Sequence, residues 1–222
     1  MGVFDLNEES VVIRESFMGS NIYYIDDFYK NPDAVVETFN NKTNDLHDPI
    51  MDAPELSING IQFEDRRHQY NTEELKTAYD RLSDICCQKP VFSNTRVITN
   101  QVRFFKNDFN NYKDNYWHPH IDVGYNGIVY LNNNENDNSG TNLYRSIKPD
   151  LPYSRGEHVD SWRSKQNWEL ITTLKPAYNR CVLFDGVKFH HGMHICDDIY
   201  FGDEYRLNQV FFFQDPNYRG DP

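Results

Sequence analysis

Residues 117–132 read WHPHIDVGYNGIVYLN and residues 180–194 read RCVLFDGVKFHHGMH. In an extended segment side chains alternate between faces, so His120 and Asp122, two apart, project to one side and can share a cation. The third ligand must come from elsewhere. Five of the eight histidines lie in these two stretches: His118, His120, His190, His191 and His194. Around them the periodicity is that of strands. Extended runs are expected at residues 96–105, 127–131, 168–174, 180–185, 187–191 and 206–214.

The first half reads differently. Residues 11–29, rich in Val, Ile, Tyr and Phe, suggest one or two strands. Asn31 can cap a helix that begins at Pro32 and carries Ala34, Val35, Val36 and Phe39 on its apolar face. Residues 43–60, with Pro49, Pro54 and Gly60, read as loop. A second helix is expected over 72–88, with Leu75, Tyr79, Leu82 and Ile85 or Cys86 as one stripe and Pro90 as its end. Helices first and many strands afterwards define an α+β chain, mainly β in its second half, closed into a sandwich or small barrel. Residues 132–142 and 146–166 read as long polar loops, candidates for a lid over a substrate.

The chain has 222 residues, enough for one domain, with 22 Lys+Arg against 34 Asp+Glu and a net charge of −12. That charge repels a phosphate backbone and argues against nucleic acid as a partner. No apolar run reaches the roughly 20 residues a bilayer span needs. The acidic N-terminus lacks the pattern of a signal peptide. Cys86, Cys87, Cys181 and Cys196 have neither zinc spacing nor an evident pairing, which points to reduced thiols and a cytoplasmic location.

Two imidazoles and one carboxylate on one face leave coordination sites open, the arrangement of non-haem Fe(II) oxygenases. In the order of its motifs the chain resembles the Fe(II)/2-oxoglutarate dioxygenases, particularly the prolyl 4-hydroxylase-like branch and its small phage and bacterial relatives. The resemblance covers roughly residues 96–214. It rests on the strand ITNQVRFF, the HxD of His120-Ile121-Asp122, the YLN of Tyr130-Leu131-Asn132, the Gly140-Thr141 turn, RCVLFDGVKFH, and Arg206 opening YRLNQVFFF.

The resemblance implies a double-stranded β-helix of the jelly-roll or cupin-like kind, with core 96–214 and residues 1–95 as helical support packed on one sheet, all within a single domain, 1–222. It implies Fe(II) held by His120, Asp122 and His190, the last placed six residues after Phe184, with His191 and His194 as second choices. It also implies 2-oxoglutarate and O2 as cosubstrates, with Arg206 anchoring the distal carboxylate, and hydroxylation of a C–H bond, for instance in a peptidyl residue such as proline. A free amino acid or small metabolite is the second substrate class. The expected location is the cytoplasm, that of the host if the chain is phage-encoded.

The pattern departs from the family at Phe105, which stands where prolyl hydroxylases commonly carry a tyrosine that contacts the cosubstrate. Tyr112, Tyr116 or Tyr130 can supply that hydroxyl instead. Two further chemistries fit less well. In metallo-hydrolases a second metal-binding His directly follows the Asp of HxHxD, where this chain has Val123; a cupin-type isomerase site wants a Glu soon after the histidine pair. The alternative of another class is a metal-binding β-helix protein that has lost 2-oxoglutarate and serves a non-catalytic or interaction role.

Overall fold

The structure, a computed structural model, describes residues 2–41, 63–70, 72–90, 97–104, 112–134, 138–147, 162–196 and 198–214. The strands are β1 (Val12–Phe17), β2 (Ser20–Ile25), β3 (Phe63–Tyr70), β4 (Lys89–Pro90), β5 (Val97–Phe104), β6 (Asn115–Trp117), β7 (Tyr125–Tyr130), β8 (Thr141–Ser146), β9 (Trp162–Ser164), β10 (Trp168–Leu174), β11 (Arg180–Asp185), β12 (His190–Met193) and β13 (Arg206–Gln214). The helices are α1 (Pro32–Asn41) and α2 (Thr72–Cys86). The described residues are thus mostly sheet with two helices. Neither helix is long and apolar enough to cross a membrane.

The strands form an eight-stranded sheet in the order β1-β2-β11-β7-β13-β5-β3, with β4 also on β13. A three-stranded sheet, β10-β8-β12, and a two-stranded ribbon, β6-β9, complete the set. Neighbouring strands within them run antiparallel.

Alternation along the central strands divides the interior in two. Val129, Leu131, Cys181, Leu183, Phe211 and Phe213 face Val35 and Phe39 of α1 and Leu75, Tyr79 and Leu82 of α2. The helices therefore cover one face of the large sheet. Ile128, Tyr130, Val182, Phe184 and Val210, each one residue out of step, pack instead with Leu143 of β8 and Leu174 of β10. This second cluster is the filling between the large and the small sheet. The central strands are apolar on both faces because both are covered, and that is why they read as continuous apolar runs.

Local chemistry accounts for the ends. The Ala34 amide donates to Asn31 Oδ1 at 3.3 Å, capping α1 as its sequence predicts. Asn179, at φ 61°, turns the chain from β10 into β11. Its side chain accepts from the Tyr29 amide and donates to the Tyr29 carbonyl, both at 2.8 Å, which ties the N-terminal segment to that turn. β3, β4, β6, β8 and β9 appear where the sequence suggested no strand, β9 inside the stretch 146–166 read as loop, and β12 begins at His190, later than the expected 187. The delay has a local cause: Asp185 Oδ1 accepts from the amides of Val187 and Lys188 at 3.1 and 3.0 Å, holding 185–188 as a turn.

Candidate metal centre

Three side chains from two segments meet at one end of the inter-sheet space. Ligand atoms of His120, Asp122 and His191 all lie within 4.8 Å of one another. His120 and Asp122 come from the segment entering β7, and His191 from β12. Backbone pairing sets the register: the His120 amide donates to the His191 carbonyl at 3.0 Å and the His191 amide to the His120 carbonyl at 2.8 Å. The Asp122 amide is fixed in turn by the Gly186 carbonyl at 2.9 Å.

The imidazoles are held in one tautomer. His120 Nδ1 lies 2.7 Å from the His118 carbonyl, and His191 Nδ1 lies 3.1 Å from the Phe189 carbonyl. A carbonyl only accepts, so each Nδ1 carries the proton and, in the neutral ring, each Nε2 presents a lone pair. Both lone pairs are on the side of Asp122, whose Oδ2 is 3.1 Å from His191 Nε2 and 3.9 Å from His120 Nε2. A metal-ligating histidine is oriented in this way, its far nitrogen donating to a carbonyl. Burial alone would raise the Asp122 pKa, but the closeness of the His191 and His120 rings and the Asn126 amide that donates to it outweigh burial and hold the carboxyl well below the usual range. The carboxylate is ionised and ready for a cation.

The expected third residue, His190, is not part of this cluster. Successive residues of β12 point to opposite faces: His191 sits opposite Leu143, whose side chain lies in the inter-sheet core, and His190 opposite Tyr144. The His190 ring packs at 4.8 Å from Trp168, and Tyr144 packs at 4.6 Å from Tyr116 of the β6-β9 ribbon. Burial, with His191 and Arg163 near, pushes the His190 pKa down to about 4. A count of six from Phe184 lands on the outer face, and the inward residue is the seventh. His118, at φ 47°, stacks on His120 with centroids 4.6 Å apart, while the His194 amide donates to the Gly140 carbonyl at 2.9 Å.

Arg206 opens β13 and is buried, 6% exposed. Its Nε and Nη2 donate to the carbonyls of Ser139 and Gly140 at 3.0 and 3.2 Å, and its guanidinium carbon lies 5.6 Å from the Tyr130 ring centre. Among the described residues no carboxylate pairs with it. Tyr130 bonds Thr141 Oγ1 through its hydroxyl at 2.8 Å. Tyr112 lies elsewhere, against the cluster of Met193, Ile195, Tyr200 and Phe201, with the Lys165 ammonium 4.3 Å from its ring centre. Phe105 lies outside the described residues.

One participant escaped the sequence reading. Asn126, on β7, donates through Nδ2 to Asp122 Oδ2 and lies 3.0 Å from His191 Nε2. Its signal was parity: Asp122 and Asn126 differ by four, and Asn126 is the polar member of the inward row that continues with Ile128 and Tyr130.

No family model matches the chain, and no curated protein matches it significantly. Among solved structures it is similar to the Fe(II)/(alpha)ketoglutarate-dependent dioxygenase TqaL in its selenomethionine form, at TM-score 0.33 and 14% identity over 71% of this chain. The match spans 63% of that protein, less than two thirds of its length. At this distance the likeness says nothing about activity, and the functional reading rests on the geometry of the three side chains.

Proposed function

We propose that this chain is a non-haem Fe(II)/2-oxoglutarate-dependent oxygenase, one domain built as a double-stranded β-helix, with His120, Asp122 and His191 as the metal ligands. The observation that carries this reading is the convergence of two Nε2 lone pairs and one ionised carboxylate within 4.8 Å, with both Nδ1 protons already committed to carbonyls. Two nitrogen donors and one hard oxygen suit Fe(II), and three protein ligands leave positions for other molecules. Iron held there would supply the redox chemistry by which O2 gives one oxygen atom to the decarboxylating keto acid and the other to a C–H bond of the substrate.

Arg206 is the group in this reading that binds the cosubstrate. A guanidinium buried without a carboxylate among the described residues is costly, and an incoming carboxylate removes that cost. Its fork geometry suits a bidentate pair. Tyr130, whose ring centre lies 5.6 Å from the guanidinium carbon, is the candidate tyrosine beside it. By resemblance to the prolyl hydroxylases, the first substrate class is a peptidyl residue such as proline. The free thiols of all four cysteines fit a cytoplasmic protein.

The test is an anaerobic optical titration with Fe(II) and then 2-oxoglutarate, following the charge-transfer band of the chelated keto acid. The band is expected in the wild type and in His190→Ala, and is expected to be lost in His191→Ala and Arg206→Ala. Iron bound through the three ligands without a band at saturating 2-oxoglutarate would leave a metal-binding protein that does not use this cosubstrate.

A further inference from the structure

Asn126 is 1% exposed, with its amide aimed into the candidate metal centre. The amide nitrogen reaches both ligand atoms that face it, Asp122 Oδ2 and, at 3.0 Å, His191 Nε2. An NH2 group has two hydrogens, and here it meets two acceptors. Its oxygen, by contrast, is buried with no hydrogen-bond partner among the described residues. The reverse orientation would set that oxygen against a carboxylate oxygen and an imidazole lone pair, three acceptors together. Without a cation, the NH2-inward arrangement is the one the chemistry favours.

This arrangement cannot persist beside a metal. His191 has its Nδ1 proton on the Phe189 carbonyl, so Nε2 has a single lone pair to give. That lone pair accepts either the amide hydrogen or the cation. We propose that Asn126 is the site's stand-in for its cation: its amide satisfies Asp122 and His191 while the site is empty, and surrenders His191 when metal loads. The inference rests on the metal-binding reading above. It makes Asn126 a positioning residue that stabilises the empty site at the expense of affinity, and the unpartnered Oδ1 is the atom that gains if the amide turns over.

The test is competitive titration of the whole chain with Zn(II) and Co(II) against a chromophoric chelator, on wild type, Asn126→Ala, Asp122→Ala and His191→Ala. Asn126→Ala is expected to bind on the order of fivefold tighter, the worth of one hydrogen bond to a neutral acceptor. It is also expected to melt lower than wild type in EDTA, the gap narrowing at saturating Zn(II). A second measurement needs no variant. In 15N-asparagine-labelled wild type, the Asn126 side-chain NH2 signal, assigned by its proximity to the His191 ring, is expected to shift on Zn(II) saturation. Weaker or unchanged binding by Asn126→Ala, or an unmoved NH2 signal at saturation, overturns the stand-in role while the metal site survives. Equal Zn(II) binding by wild type, Asp122→Ala and His191→Ala overturns the metal reading itself.

Discussion

His120 and His191 are joined backbone to backbone by two hydrogen bonds of 3.0 and 2.8 Å, and their ring centroids lie 4.3 Å apart. This isolated bridge ties β12 to a segment that belongs to no named strand. It fixes the separation of the two imidazoles through main chain rather than through side-chain packing. The position of each ring then follows from its own Nδ1 bond.

Removing any of His120, Asp122 or His191 should therefore cost metal affinity well beyond the roughly 10- to 100-fold expected for loss of an outer partner. His190→Ala should stay within about threefold of wild type, below half a decade or ~0.7 kcal/mol. Co(II) absorption or calorimetric titration of the four variants separates the inward histidine from its neighbour, and equal losses at 190 and 191 would contradict the assignment.

Gly192, next to His191, has no room for a side chain. A Cβ there would stand 2.3 Å from the Trp117 carbonyl oxygen and 3.1 Å from that of His118. The obstruction is backbone, which cannot rotate aside. Gly192→Ala should lose about 1–3 kcal/mol in urea unfolding and should bind metal more weakly, because the strand carrying His191 must shift away from the segment carrying His120.

Asn179→Ala should destabilise the fold by about 3 kcal/mol, from the loss of both hydrogen bonds to the Tyr29 backbone and the strain of a Cβ at positive φ. Asn179→Gly keeps the positive φ without strain and loses only the hydrogen bonds. Chemical denaturation should place Gly between wild type and Ala. An order with Gly least stable would mean that backbone strain plays no part at this turn.

Burial raises the pKa of several acids that are neutral when protonated. Cys86 goes from 9.0 to about 11 and Tyr130 from 10.0 to about 12, and Cys181, Tyr79 and Tyr144 are also pushed upward. For such groups the unfolded chain releases its protons first as pH rises, so the stability they lend is complete below pH 9 and is lost above it. For Cys86 the loss falls between pH 9 and about 11. Denaturation midpoints should be flat approaching pH 9 and fall beyond it. At pH 8 a thiol reagent should label exposed Cys87 quickly, and buried Cys86 and Cys181 only on unfolding.

The strands at 168–174, 180–185 and 206–214 were legible to the residue because their apolar runs or alternation fit a covered sheet. β8 was not. Its sequence TNLYRS looks like a continuation of the polar loop, yet Thr141 through Tyr144 are buried, and Asn142 is satisfied by the Tyr144 and Thr173 hydroxyls. Polar residues paired side chain to side chain hide a strand from any hydropathy reading. β3, FEDRRHQY, is hidden by its charges, as is common where a strand pairs on one side only; among the described residues β3 pairs with β5 alone.

At the site, His120 and Asp122 were legible because they lie two apart on one segment. The choice between His190 and His191 was not, since it depends on where β12 begins. A single carboxylate, that of Asp185, decides this by holding the preceding turn. In a structure of period two, an error of one residue exchanges inside for outside.

Asp122 and His191 stand 69 residues apart in the chain. At about 5–20 residues per second, a ribosome makes the first several seconds before the second. A nascent chain that already displays His120 and Asp122 has only two of the three proposed ligands. The complete centre exists only after β12 has emerged and closed against the earlier segment. Under the proposed metal role, iron capture belongs to the finished protein, which draws on whatever metal pool surrounds it at release, and not to the growing chain.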